Sequence, residues 1–338
     1  MLLTSTDKNV DISFVIPAYN SQKTIESCVD AILNQANLSK LRFEIIVVDN
    51  NSTDNTVKLI NRRFKEKTIL INEFNQGRSC ARNAGAKKAK GAIIAFIDSD
   101  VVIPKTWLDE SYNVASKLSN WGLLTCVINK SYQELDYIER IRMSLSNKDL
   151  KKNANYLSLI NIFSPCVNSA AILVKKKCFM EINGFDESFD YLEDLDIGRR
   201  IGISGYNLIS SSVAINCYLG SESSLKFLTR YYLIGKMIPI FLYKWSERGK
   251  LNSIFFALRC EFESIKQSLP VPSKISIVFT RILISTFKVI GIIMSARNDY
   301  SSIVKVKKEE FGPIKIIEEG KVIWLDLKRS IVRFFKTN

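Results

Sequence analysis

The chain has 338 residues, 48 Lys plus Arg against 34 Asp plus Glu, a formal net charge of +14, and no histidine. That absence excludes a Ser-His-Asp or Cys-His nucleophile system, an imidazole general base and any zinc site built on imidazole. Hydrophobic residues at 46% and charged residues at 24% are the composition of a folded protein, so acid–base work falls to carboxylate, Lys, Tyr or Cys within a globular core.

In chain order, the N-terminal MLLTSTDKNVD has too short an apolar stretch for a signal peptide. Residues 12–16 (ISFVI) read as a short buried strand ending at Pro17. Residues 21–36 follow with helical period, Ser21 and Thr24 being candidate caps and Ile25, Cys28, Val29, Ile32 and Leu33 one apolar face. A second strand is expected over 43–48 (FEIIVV), a helix over 54–65 and a strand over 68–71. A helix over 78–90 has small residues on its packing side, and a fourth strand spans 92–97. Strands alternating with helices in this way predict an α/β fold with a mostly parallel sheet.

Three polar groups stand at strand ends: Pro17-Ala18-Tyr19-Asn20, Asp49-Asn50-Asn51-Ser52 and Asp98-Ser99-Asp100. In such sheets ligands bind beyond the carboxyl ends of the strands, so the three groups should converge on one crevice. Asp98 and Asp100 are two residues apart on extended chain and point the same way. Two such carboxylates suit a hard divalent cation, Mg²⁺ or Mn²⁺, with substrate phosphates completing its shell. Asp49 can accept a hydrogen bond from a base or ribose, or cap the next turn. Arg78 and Arg82, on the first turns of a helix, can face phosphates or solvent. Further on, six acidic residues fall between Asp186 and Asp196. Glu193 and Asp194 lie among Tyr191, Leu192 and Leu195, which predicts partial burial, a raised carboxyl pKa and a candidate proton acceptor.

The ordered set VIPAYN (15–20), VVDNNSTDNT (47–56), NQGRSCARNAGAKKAKG (75–91), AFIDSD (95–100), NGFDE (183–187) and EDLDIGRR (193–200) resembles the family 2 glycosyltransferases of the GT-A fold. The resemblance covers about residues 10–220. It implies a Rossmann-like, mixed, mostly parallel sheet flanked by helices, and an inverting transferase using a UDP- or GDP-sugar and a divalent metal. It implies that Pro17, Ala18, Tyr19 and Asn20 line the nucleoside and that Asp49, with Asn51 in the same strand-end group, contacts the base. It puts Gly77, Arg78, Arg82 and Asn83 beside the ribose and diphosphate, and Asp98 and Asp100 on the metal. Asp194 becomes the general base, with Glu193 beside it, and Arg200 a buttress of the site. Many relatives carry a histidine after the strand that follows the Glu-Asp helix. Here that stretch reads AINCYLGSESSLKFL (214–228), with Cys217, Tyr218 or Ser221 near the place.

Net charge is +3 over residues 1–220 and +11 over 221–338. The expected organisation is therefore a catalytic domain over 1–220 and a basic, largely helical region over 221–338. Its apolar stretches 225–245 and 274–297 carry cations, with Lys274, Arg281 and Lys288 recurring every seven residues. Cations inside a bilayer-spanning helix are costly, so helices lying on an anionic membrane surface fit better, with a packed helical pair as the alternative. This places the enzyme at the cytoplasmic membrane face, acting on a glycan or lipid-linked acceptor, with no nucleic-acid partner. Other readings are a polyprenyl-phosphate sugar synthase and a non-catalytic sugar-nucleotide-binding subunit. The stretches IVKVK and KIIEEGKVIWLDL predict a hairpin or an edge addition. The seven cysteines, none in a C-x-x-C pair, read as buried thiols in a reducing compartment.

Overall fold

The computed structural model describes residues 10–37, 39–117, 119–129, 167, 169–217, 224–245, 250–255, 257–258, 261, 275–298, 300, 314–318 and 321–325. Its first hundred residues alternate as their periodicity predicts. Strands β1 (Ile12–Ala18), β2 (Phe43–Asp49), β3 (Ile69–Asn72) and β4 (Ile93–Ile97) are separated by helices α1 (Ile25–Leu33), α2 (Thr56–Arg63) and α3 (Arg78–Lys88). Strand β1 pairs in parallel with β2 and β4, and β2 with β3. Both faces of this sheet are covered, which is why β2 is buried at every position, Glu44 included, whose Oε1 accepts from Ser13 Oγ at 2.6 Å. Alternation still assigns the faces. Ile12, Phe14 and Ile16 pack with Ile25, Cys28 and Ile32 of α1, whereas Val15 packs with Ala81 and Ala86 of α3.

Two helices start later than the pattern suggests. Ser21 O accepts the Thr24 and Ile25 N–H groups, so 21–24 is a turn leading into α1. Asp54 Oδ1 accepts the Thr56 N–H at 2.9 Å, which likewise delays α2.

Beyond β4 come β5 (Val101–Val102), α4 (Trp107–Ser116), β6 (Trp121–Asn129), β7 (Ala171–Lys175), α5 (Lys176–Glu181), α6 (Glu193–Ile203) and β8 (Asn207–Cys217). They are followed by α7 (Ser224–Trp245), α8 (Ile275–Ser295), β9 (Ile314–Glu318) and β10 (Lys321–Leu325). The sheet order is β10-β9-β8-β6-β7-β4-β1-β2-β3, with β5 pairing β8. Strand β7 runs antiparallel to β4 and β6, which makes the sheet mixed. The expected hairpin exists as β9–β10, and β9 also joins the sheet beside Leu208–Ser210 of β8.

The helices after residue 220 share a core with the 183–203 segment. Phe189 packs with Ile240, Phe241, Trp245, Ile254 and Ile292, and Leu192, Leu195 and Ile203 lean on the same cluster. Helices α7 and α8 touch backbone to backbone. A Cβ added at Gly235 would lie 2.2 Å from Lys288 O, and one at Gly291 would lie 2.1 Å from Tyr232 O. Lys288 turns toward this pair. It sits 3.2 Å from Glu261 Oε1 and 5.8 Å from the Tyr231 ring centroid, not on an outward headgroup face. Lys274 lies outside the described residues. Among the described residues, no helix is long and apolar enough to cross a membrane.

Candidate active site

The parallel strands β1, β2 and β4 end on the same side, and their polar ends meet there. Asn20 and Asn51 have positive φ, 49° and 63°, which asparagine tolerates better than most residues. That geometry lets Asn20 Oδ1 accept from Thr53 N at 2.8 Å, and Asn51 Nδ2 donate to Phe74 O at 2.7 Å. Ser21 Oγ and Ser99 Oγ are 2.7 Å apart, joining the β1 loop to the Asp98-Ser99-Asp100 turn. Asn50 is the hub. It is buried, donates through Nδ2 to Glu73 O and Asn75 O at 2.8 Å each, and accepts the Gly77 N–H at 2.9 Å. Gly77 has φ 135°, open to glycine, and leads directly into α3.

A cleft of about 740 Å³ opens at this edge. It is lined by Pro17, Ala18, Tyr19 and Asn20 from the first loop, and by Gly77, Arg78, Asp98 and Asp100. Asn50, Tyr191 and Arg230 also line it; the sequence had placed Asn50 only within the Asp49–Ser52 group and had not singled out Arg230. Asp49, Asn51, Arg82, Asn83, Glu193, Asp194 and Arg200 are not among its lining residues. Asp49 accepts the Ser52 N–H at 3.3 Å, closing the turn.

Arg82 joins the two acidic motifs. Fully buried on α3, it donates Nη2 to Asp98 Oδ1 at 2.7 Å and Nη1 to Glu193 Oε1 at 3.0 Å. Arg78, one turn earlier and half exposed, approaches Glu193 Oε1 at 3.7 Å and stacks 5.4 Å from the Tyr191 ring centroid. Asn83 is engaged elsewhere. Its side chain donates to Phe185 O at 2.9 Å and Glu187 Oε1 at 3.0 Å and accepts the Phe185 N–H at 2.9 Å, clipping the NGFDE segment to α3. Arg200 is buried within the fold. Its guanidinium donates to Asp196 Oδ2 at 2.8 Å and to Ile182 O and Gly184 O at 2.7 and 2.5 Å.

Helix α6 begins abruptly. Leu192 has φ 68°, a strained conformation for a branched apolar residue, and Glu193 and Asp194 follow at the helix N-terminus. Burial, then the charge of Glu193, pushes the Asp194 carboxyl up to about 7. The Leu195 N–H and the charges of Arg82 and Arg78 work against that rise. A carboxylate in this range is a competent proton acceptor near neutrality.

Burial and the charge of Asp98 push the Asp100 carboxyl up to about 6, while Arg78 and Arg230 pull it down. Residues 98–100 form a turn, closed by the Val101 N–H donating to Asp98 O at 3.0 Å, rather than the expected extended stretch, and two crowded carboxylates of one turn are what a divalent cation would relieve. Among the described residues no third His, Cys, Asp or Glu joins them. The donor set therefore fits a hard cation that draws its remaining oxygens from phosphate and water. Residues 218–223 lie outside the described residues, so Tyr218 and Ser221 cannot be assigned. The Cys217 backbone pairs with Val101, next to Asp100.

A family model described as glycosyl transferase family 2 matches residues 13–176. The chain is 38% identical over 249 residues to the UDP-Glc:alpha-D-GlcNAc-diphosphoundecaprenol beta-1,3-glucosyltransferase WfaP of Escherichia coli, covering 68% of this chain and 87% of that protein. It is 27% identical over 234 residues to glycosyltransferase AglE of Haloferax volcanii, covering 67% of this chain and 72% of that one. Among solved structures, it resembles the mannosyltransferase PcManGT of Pyrobaculum calidifontis, in complex with GDP-Man and Mn²⁺. The TM-score is 0.60 at 15% identity, covering 87% of this chain and 90% of that one. It also resembles Staphylococcus aureus TarS 1–349 bound to UDP-GlcNAc, with a TM-score of 0.51 at 16% identity, covering 94% and 99%.

Proposed function

The chain belongs to glycosyl transferase family 2, transferring sugar from a nucleotide-activated donor in glycan synthesis, and from that premise we propose how its residues divide the reaction. The nucleoside lies along Pro17–Asn20 and Asp49, and the diphosphate lies toward Asp98 and Asp100. Those two carboxylates would hold Mg²⁺ or Mn²⁺, which would offset charge on the diphosphate. Asp194 takes the proton of the acceptor hydroxyl. The hydroxyl oxygen forms a bond to the anomeric carbon as the bond from that carbon to the phosphate oxygen breaks. The electron pair leaves with the nucleoside diphosphate, and in-line attack inverts the configuration.

The observation that carries this reading is Arg82. By holding Asp98 and Glu193 on one guanidinium, it brings the donor motif and the base-bearing helix together in one centre. The acceptor is proposed to be a lipid-linked or growing glycan. The Escherichia coli relative, which by its name acts on a diphosphoundecaprenol-linked sugar, supports that class. Purified protein should hydrolyse or transfer one member of a panel of UDP- and GDP-sugars with Mn²⁺. Asp194→Asn should lower transfer by at least about 100-fold, the usual weight of a general base, while leaving nucleotide affinity near wild type. Near-normal turnover in that variant would remove Asp194 from the role.

A further inference from the structure

Helix α7 begins well beyond the 13–176 span of the family model, yet it forms part of the cleft wall. Arg230 and Leu233 line the cleft together with Arg78, Asp98 and Asp100. Arg230 is half-buried, and its positive charge acts on Asp100.

The helix carrying Arg230 is fixed at its far end. Lys244 Nζ lies 2.8 Å from Asp186 Oδ2 and 2.6 Å from Asp196 Oδ1, with both carboxylates buried. Trp245 Nε1 donates to Asp196 Oδ1 at 2.9 Å. The Arg199 guanidinium lies 5.0 Å from the Phe241 ring centroid and 5.6 Å from that of Trp245. Asp196 and Arg199 belong to α6, so α7 is bolted to the helix that bears Asp194.

Charge arithmetic gives Arg230 a task. Asp98 and Asp100 together cancel one divalent cation. The diphosphate of a sugar nucleotide brings about two further negative charges and gains another as the sugar departs. Arg82 cannot answer them, because it is fully buried and engaged by Asp98 and Glu193. The basic residues on the cleft wall are Lys23, Arg78 and Arg230, and Lys23 is exposed on the first loop.

We propose that Arg230 is a catalytic residue of this transferase: its guanidinium contacts the donor diphosphate and stabilises the charge that builds on the leaving nucleotide. The C-terminal helix thereby supplies a cation at the diphosphate end, where the 214–228 stretch has no histidine to offer. The proposal rests on the nucleotide-sugar reading above.

The test compares UDP with UMP and GDP with GMP by titration calorimetry, with Mn²⁺, for wild type, Arg230→Met and Arg230→Lys. In Arg230→Met the diphosphate-over-monophosphate preference should fall about 10- to 100-fold, the weight of a charge-assisted hydrogen bond, while monophosphate affinity stays within about twofold. Arg230→Lys should recover part of the preference, and kcat at saturating donor should follow the same order. An unchanged preference in Arg230→Met overturns the proposal alone. So does an equal loss of monophosphate and diphosphate binding that Arg230→Lys fails to repair, since that marks a structural role. A wild-type chain that binds neither UDP nor GDP overturns the donor reading and this one together.

Discussion

Arg82 is the residue on which two carboxylates depend. Removing it leaves Glu193 buried, with the more distant Arg78 as its remaining ion-pair partner among the described residues. Breaking such a buried pair from one side costs about 3–5 kcal/mol. Arg82→Met should therefore lower the unfolding free energy from urea titration by that much, and the midpoint with it, and adding Glu193→Gln should recover part of the loss. An unaltered midpoint in Arg82→Met would show that the pair holds little energy. In its proposed role as base, Asp194 sets the acid limb of activity. It serves as base only when ionised, so kcat/KM should fall about tenfold per pH unit below about 7 and level off above it. Asp194→Asn should abolish that limb. The same raised pKa means the native state holds this proton more tightly than the unfolded chain does. Stability from Asp194 is thus present below 3.8 and lost as pH rises through about 7. Asp98, Asp100, Glu193 and Asp194 were legible because strand ends and flanking apolar residues marked them. Asn50 was marked only as part of its strand-end group, and Arg230 and Lys244 not at all. Each acquires its role from partners far along the chain, and nothing local separates a buried asparagine or lysine from an exposed one.

At the scale of elements, the α7–α8 contact is governed by two glycines. An alanine at an open helical position usually stabilises by up to about 1 kcal/mol over glycine. At Gly235 the sign should reverse, because the new Cβ would meet Lys288 O. Overpacking of that kind costs about 1–3 kcal/mol. Gly235→Ala should lower the melting temperature and speed amide exchange across Ser224–Trp245, and a stabilised variant would contradict the close packing. The helices themselves were visible in the sequence as apolar stretches of the right length, and the first four strands as short β-branched runs before turn residues. The direction of β7 was not visible. Hydrophobic pattern records burial, and an antiparallel strand covered on both faces looks like a parallel one.

Across the whole molecule, the sequence divides at residue 220 by charge, whereas the core does not divide there. Phe189, Leu192 and Leu195 pack with α7, so the basic region is built onto the base-bearing helix. Among the described residues this region leaves several large apolar side chains outward: Leu251, Phe255, Ile290 and Ile293 are 67, 66, 44 and 54% exposed. Apolar side chains within a segment of net +11 suit an anionic bilayer surface. The protein should float with phosphatidylglycerol vesicles at low salt and release at high salt. Phe255→Glu with Ile293→Glu should weaken flotation while leaving hydrolysis of a soluble donor intact. A wild-type protein that stays with the soluble fraction at low salt would end the membrane reading.

The way β8 is covered bears on synthesis. One side of this strand pairs with β6, while its other side is met at one end by β5 and at the opposite end by β9. Strand β9 emerges from the ribosome roughly 100 residues after β8, a delay of about 5–20 s at ordinary elongation rates. During that interval Leu208–Ser210 is an unpaired edge open to neighbouring nascent chains, the situation in which edge strands aggregate. Newly made protein is thus most vulnerable after its catalytic motifs have been translated and before its last hairpin arrives.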